Sequence, residues 1–181
     1  MKKELSKFKL EIREANISLI LDSYEDIFSD FDPRPYGERA LSDDFLLECK
    51  RASRDKNQDE IELRLLIPKE KRRLKDEEII KERLREHFKK HSLEKHKDIK
   101  KYKREGFGWI FIGILIIIFS VYGSLNFKST FFVTLIKIIE VPSWFLIWEG
   151  LGKVFIYSRE KLPDYNFYKK MYSSEIGFFN Y

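Results

Sequence analysis

The sequence predicts an α+β fold: a small cytosolic domain with a short β-sheet and a long helix, then a transmembrane helical hairpin and a tail folding back on that domain. Three observations predict it. Leu10–Leu21 and Ile61–Ile67 alternate polar and apolar residues, as half-buried strands do. A helical stretch from about Asp76 carries Ile80, Leu84 and Phe88 at four-residue spacing. Two apolar runs, Gly106–Gly123 and Ser129–Trp148, come next with a short connection. The expected organisation is a domain over 1–88, a basic juxtamembrane helix over 89–105, the hairpin over 106–157 and an aromatic-rich tail over 158–181.

After the first strand, Pro33 and Pro35 hold the stretch from Asp32 to Tyr36 in extended or turned backbone, because each fixes its own φ and restricts the residue before it. Ser42 is placed to cap a helix reaching about Ser53, with Asp43 and Asp44 complementing the helix dipole. A polar turn over 54–59 leads to the second strand, closed by Pro68. The long helix then becomes polar toward Arg104 and continues toward the first apolar run, with Gly106 and Gly108 as a weak joint. Two strands alone make a marginal sheet. The tail carries Tyr165, Phe167, Tyr168, Tyr172, Phe178, Phe179 and Tyr181, too many rings for a solvated segment, and Ser174–Phe179 reads as a further strand.

The first apolar run contains no charged residue, and its length approaches the roughly 30 Å hydrocarbon core. Trp109 and Tyr122 lie near its ends, where amphipathic rings favour the headgroup boundary. The second run includes Lys137 and Glu140, and each charge costs about 2.5–3.5 kcal/mol at a helix centre. That leaves the isolated segment near break-even and dependent on a partner helix. Lys137 and Glu140 are three apart and able to pair, and Pro142 is expected to kink the helix after them.

The 181 residues carry 35 Lys and Arg against 30 Asp and Glu, a net charge of +5, and 36% are charged. Such composition excludes a largely membrane-embedded transporter and fits a soluble module beside two spans. Lys95, Lys97, Lys100, Lys101, Lys103 and Arg104 precede the first run, whereas the connection offers Lys128; Lys153, Arg159, Lys161, Lys169 and Lys170 come after the second. The positive-inside rule therefore predicts a multi-pass cell-membrane protein with both termini cytoplasmic. Lys97, Lys100, Lys101, Lys103 and Arg104 are the candidate site for anionic lipid headgroups. The cluster abuts a span and lacks interleaved aromatics, which disfavours nucleic acid. The first nine residues are basic without an apolar core, so no cleavable signal peptide is expected. The single cysteine, Cys49, lies four residues from Phe45 and reads as a buried thiol.

The stretch most open to chemistry is Ser29–Phe45. Asp30 and Asp32 form a D-x-D pair able to hold a divalent metal against a nucleotide diphosphate, and Arg34 and Arg39 are suited to phosphate. The alternative is a rigid loop held by arginine bonds to carboxylates and carbonyls. No glycine-rich phosphate loop accompanies the pair. His87 and His91 stand four apart, a metal-ligand spacing, but the surroundings are cationic and no third ligand is evident. No metal or cofactor is expected, and no catalytic triad can be nominated.

The Asp32–Tyr36 loop, Leu41–Phe45, the second strand, the basic helix and Trp148–Lys153 together resemble an uncharacterised group of prokaryotic two-span membrane proteins. The resemblance covers most of the chain and implies architecture, with no activity or site attached. Three functional classes are open to these residues. The first is a noncatalytic membrane-anchored module binding a protein partner or anionic lipid. The second is a homo-oligomeric channel or membrane-perturbing assembly using Lys137 and Glu140. The third is a membrane-surface enzyme acting on a phosphorylated lipid through Asp30, Asp32, Arg34 and Arg39.

Overall fold

The computed structural model describes residues 17–54, 62–126 and 129–181. Leu10–Asn16 of the first expected strand lie outside these residues, as do Lys128 and most of the polar turn after Arg54. Strands β1 (Ile17–Ile20), β2 (Glu62–Ile67) and β3 (Glu175–Asn180) form one sheet in that spatial order. Helix α1 spans Asp43–Arg54, α2 Leu74–Asn126, α3 Thr130–Gly152 and α4 Leu162–Ser173. The chain divides into two compact units, one of Met1–Ser92 with Asn166–Tyr181 and one of Leu93–Tyr165.

In the first unit every strand pair is parallel, a direction the alternation of Leu63, Leu65 and Ile67 does not disclose. Parallel neighbours require a crossover rather than a tight turn. Helix α1 lies in the β1-to-β2 connection, and everything from Pro68 to Ser174 lies between β2 and β3. Register aligns Ile17, Leu63 and Ile176 in one row and Leu19, Leu65 and Phe178 in the next. These side chains share a buried cluster with Phe45 and Cys49 of α1, Ile80, Leu84 and Phe88 of α2, and Phe167 and Met171 of α4. The tail thus supplies the third strand, as its rings predict, together with a helix, α4, that its pattern does not announce. On the other face Leu66 is buried in register between Ile20 and Phe179, whose ring lies under the Arg64 guanidinium at 5.1 Å.

In the second unit α2 continues unbroken through Gly106 and Gly108, so the expected weak joint is absent. Gly106 serves packing instead. A Cβ there would stand 2.6 Å from the Gly150 carbonyl oxygen, and one at Gly150 would stand 2.6 Å from that of Gly106. Gly113 similarly faces Ile147 and the Ser143 carbonyl, and Gly123 faces Ile136. Positions 106, 113 and 123 therefore meet 150, 147 and 136 in reverse order, which sets α2 and α3 antiparallel along this contact. Helix α3 continues through Pro142 to Gly152, and a π-helical turn spans Lys153–Tyr157.

Burial in this unit inverts the usual order. Ser120 and Ser143 are buried, the latter at 0% exposure, while Phe111, Ile118, Phe119, Phe131, Phe145 and Trp148 are exposed. Two helices here are long and apolar enough to cross a membrane.

The pleat of β3 gives a direct test. Phe178 is 6% exposed and Phe179 37%. Phe178→Ala is expected to destabilise the full-length protein by about 3–5 kcal/mol and Phe179→Ala by less than half of that, measured by proteolytic susceptibility against denaturant. A larger loss at Phe179 would contradict the register.

Candidate functional site

The Ser29–Phe45 stretch folds back on itself. An isolated antiparallel bridge joins Phe28 to Leu41, the Ser29 N–H donates to the Ala40 carbonyl at 2.9 Å, and the Ser42 N–H to that of Ile27 at 2.9 Å. Within this closure Asp32 accepts from the Arg34 side chain, Nε at 2.9 Å and Nη2 at 2.7 Å, and from the Ala40 N–H at 2.6 Å. The Arg34 contact first, and the Ala40 bond next, hold its carboxyl well below the usual range. Arg39 donates to the Ser29 carbonyl from Nε at 3.1 Å and Nη2 at 3.0 Å, and pairs with Glu25. Tyr36 donates to Glu25 at 2.7 Å and stacks on Phe28, ring centroids 5.1 Å apart. Asp30 is exposed.

The side-chain hydrogen bonds of Asp32, Arg34 and Arg39 are therefore made within the loop and to its neighbour Glu25, while the Arg39 carbonyl accepts from Arg83 Nε on α2 at 3.0 Å. A shallow cleft of about 270 Å³ lies beside the loop, lined by Ser23, Tyr24, Glu25, Tyr36, Glu70, Lys71 and Arg73. None of Asp30, Asp32, Arg34 or Arg39 lines it. No group of three His, Cys, Asp or Glu side chains with metal-holding geometry occurs among the described residues.

A buried ionic network beside this cleft has no counterpart in the sequence expectations. Glu77, 2% exposed, accepts from Arg72 Nε and Nη2, each at 2.8 Å, and from the Tyr24 hydroxyl at 3.0 Å. The Tyr24 oxygen in turn accepts from the Arg73 N–H at 2.8 Å, and Arg72 Nη1 donates to Asn180 Oδ1 at 2.7 Å. This arrangement ties the segment after β1, the start of α2 and the end of β3 together at the carboxyl edge of the sheet. Arg72 draws the Glu77 carboxyl below its ordinary value, against the opposing effect of burial. A signal was present: Glu77 lies three residues before Ile80, on the same stripe as Leu84 and Phe88, where a solvated carboxylate does not belong.

His87 and His91 sit one turn apart on α2 with ring centroids 4.3 Å apart, and His91 stacks on Tyr168 at 5.2 Å. Burial, with smaller contributions from His91, Arg83 and Lys90, lowers the His87 pKa to about 4, so the ring is neutral near pH 7. Its Nε2 is buried and has no hydrogen-bond partner among the described residues. Cys49 is fully buried, and burial pushes its thiol up to about 12, which makes it a packing residue and a poor nucleophile.

In the second unit Lys97, Lys100, Lys101, Lys103 and Arg104 are all exposed on α2, while Ile99 between them is buried. The next turn carries Glu105, which accepts from Lys153 at 3.0 Å, and the Lys153 ammonium lies 5.7 Å from the Trp109 ring centroid. Tyr102 and Tyr157 bring their rings within 6.3 Å at the same end. On α3, Lys137 donates to Glu140 at 2.8 Å, as their spacing predicts.

No protein-family model, curated protein or solved structure matches the chain.

Removing one partner of a buried ion pair strands the other. Glu77→Gln is expected to destabilise the protein at pH 7 by on the order of 3 kcal/mol. The carboxyl pKa is lowered in the folded state, so its contribution is present above the unfolded value near 4.5 and is lost as pH falls through the folded value. The gap between wild type and Glu77→Gln, read by denaturant unfolding, should therefore close toward acid pH. A gap that stays constant would contradict the network.

Proposed function

We propose that the chain is a noncatalytic two-span membrane protein whose basic segment from Lys97 to Arg104 engages anionic lipid headgroups on the cytosolic face. The observation that carries this reading is the pairing of β2 with β3, running from Glu62 opposite Glu175 to Ile67 opposite Asn180. Hydrogen-bonded strands must occupy one compartment. The chain between them can therefore cross a bilayer only an even number of times, and it holds two helices apolar enough to do so. A single crossing would place β3 on the wrong side.

The outward display of Phe and Ile around buried Gly and Ser supports a lipid-facing surface, because apolar side chains gain nothing from mutual burial once the solvent is itself apolar. From Gly106 to Asn126 is about 30 Å of helix, and from Thr130 to Trp148 about 28 Å, enough for a hydrocarbon core. Lys153, Trp109, Tyr102 and Tyr157 gather at one end, where charged and amphipathic groups favour the interface.

The exposed lysines continue on the same helix just before this belt, at the level of lipid phosphates, where each cation gains about 1 kcal/mol from an anionic leaflet. The self-bonded Ser29–Phe45 loop supports a structural role over the enzymatic one, and the segments bearing cations favour the cytosol for both.

The test uses full-length protein extracted from membranes with its lipids. Native mass spectrometry is expected to show phosphatidylglycerol retained over phosphatidylcholine. Reversing Lys97, Lys100, Lys101 and Lys103 to Glu should lower that preference at least tenfold, since four contacts near 1 kcal/mol each are removed. Equal retention of both lipids by the wild type would remove the headgroup assignment, and recovery of the protein in the soluble fraction would remove the membrane reading itself.

A further inference from the structure

Within the first unit α2 meets α4 through rings. Phe88 lies edge-on to Phe167 with centroids 6.3 Å apart, and both are buried. Beside Phe88 the same helix carries His87 and, one turn on, His91, whose rings are 4.3 Å apart. Tyr168 of α4 covers the pair, 5.2 Å from the His91 ring and 6.3 Å from that of His87. The His87 Nε2 is buried with no hydrogen-bond partner among the described residues, an arrangement that is unfavourable for a polar atom. Packing alone favours a hydrocarbon here, as at Leu84 and Phe88, so the imidazole suits a role that a hydrocarbon cannot fill.

We infer that the pair of His87 and His91 is an acid-operated latch, in which protonation of His87 releases α4, and β3 with it, from α2 and the sheet. A proton on Nε2 turns a buried neutral edge of the ring into a buried cation. Among the described residues the charged groups that act on His87 are His91, Arg83 and Lys90, all on α2 and all positive when protonated. Glu86, its neighbour in the chain, is exposed; α4 presents Tyr168, flanked by buried Phe167 and exposed Lys169. Two imidazoles at this distance resist carrying charge together.

Burial foremost, and then these cations, hold the docked ring at a pKa of about 4, against an ordinary value of 6.5. A released ring therefore takes up its proton more readily than a docked one, and the docked state loses stability as pH falls from about 6.5 toward about 4. His87 cannot leave α2, so its ring reaches water by parting from Tyr168. Phe167 and Met171 of α4 enter the same core, and Ser174 alone separates α4 from β3, so the helix and the strand move as one piece. Every residue of the latch belongs to the first unit, which makes the inference independent of the membrane reading.

The experiment uses the full-length chain in detergent. Hydrogen exchange is read by mass spectrometry at pH 7 and about pH 5, corrected for the intrinsic pH dependence of amide exchange. Acidification is expected to raise the opening of α4 and β3 at least fivefold while α1 changes less than twofold, and a return to pH 7 should restore protection. His87→Phe keeps an aromatic ring and His87→Gln a polar side chain, and neither titrates. Each is expected to hold the acid response of α4 below twofold, and either suffices if the other fails to fold. An acid response equal to wild type in these variants, or equal loss of protection in α1 and α4, overturns the latch. The same measurement serves for a chain recovered in the soluble fraction, so failure of the membrane reading does not decide it.

Discussion

The register between β2 and β3 is the constraint on which the remaining architecture depends. Leu63 and Leu65, central to the buried cluster, are covered laterally by Ile176 and Phe178, residues separated from them by more than half the chain. Without β3 the sheet would be two short strands, which are marginal on their own. The pairing couples the fate of the intervening helices to that of the small domain. In the proposed topology α3, close to break-even because of Lys137 and Glu140, is drawn into the bilayer by the docking of α4 and β3. Burial of Phe167, Met171, Ile176 and Phe178 contributes about 1.5–3 kcal/mol each, and only a chain that has returned to the first side can bury them.

The ionic network at the carboxyl edge of the sheet acts on the same joint from another direction. Arg72 reaches Glu77 at the start of α2 and Asn180 at the end of β3, so the helix that leaves the domain and the strand that re-enters it share one guanidinium. A fully buried carboxylate is unfavourable unless its hydrogen bonds are made, and Glu77 has three. That satisfaction gives the edge directional specificity that the apolar rows of the sheet do not provide. The neighbouring Ser29–Phe45 loop is organised in the same way: Asp32 and Arg39 fasten its ends, and Glu25 receives Tyr36 and Arg39.

Local patterns made several elements legible. The period-two alternation of Leu63, Leu65 and Ile67, the four-residue stripe of Ile80, Leu84 and Phe88, and the uncharged run after Gly106 each report burial or length directly, and the corresponding elements appear at those residues. The density of rings after Leu162 likewise announced a packed tail. Strand direction was hidden because alternation is identical in parallel and antiparallel sheets. Gly106 read as a joint because glycine weakens isolated helices, yet its contact with Gly150 is long-range and leaves no local pattern. Glu77 was legible in part: its place on the stripe of Ile80, Leu84 and Phe88 marks it for burial, but the Tyr24 hydroxyl that completes its bonds comes from a distant segment and leaves no local pattern. The D-x-D pair suggests a metal, but Asp32 takes its partners Arg34 and Ala40 from the same loop and Arg39 bonds the Ser29 carbonyl, as the alternative of a rigid loop held by arginine bonds expects.

Sidedness tests the central claim most directly. With Cys49, the single cysteine of the sequence, replaced by Ser, single cysteines at Arg54, Ser124 and Ser173 can be probed in intact cells with a membrane-impermeant maleimide. The account predicts that Ser124→Cys labels from outside, while Arg54→Cys and Ser173→Cys label only after permeabilisation. Labelling of Arg54→Cys and Ser173→Cys on opposite sides of the membrane would contradict it, because strands β2 and β3 could not then pair.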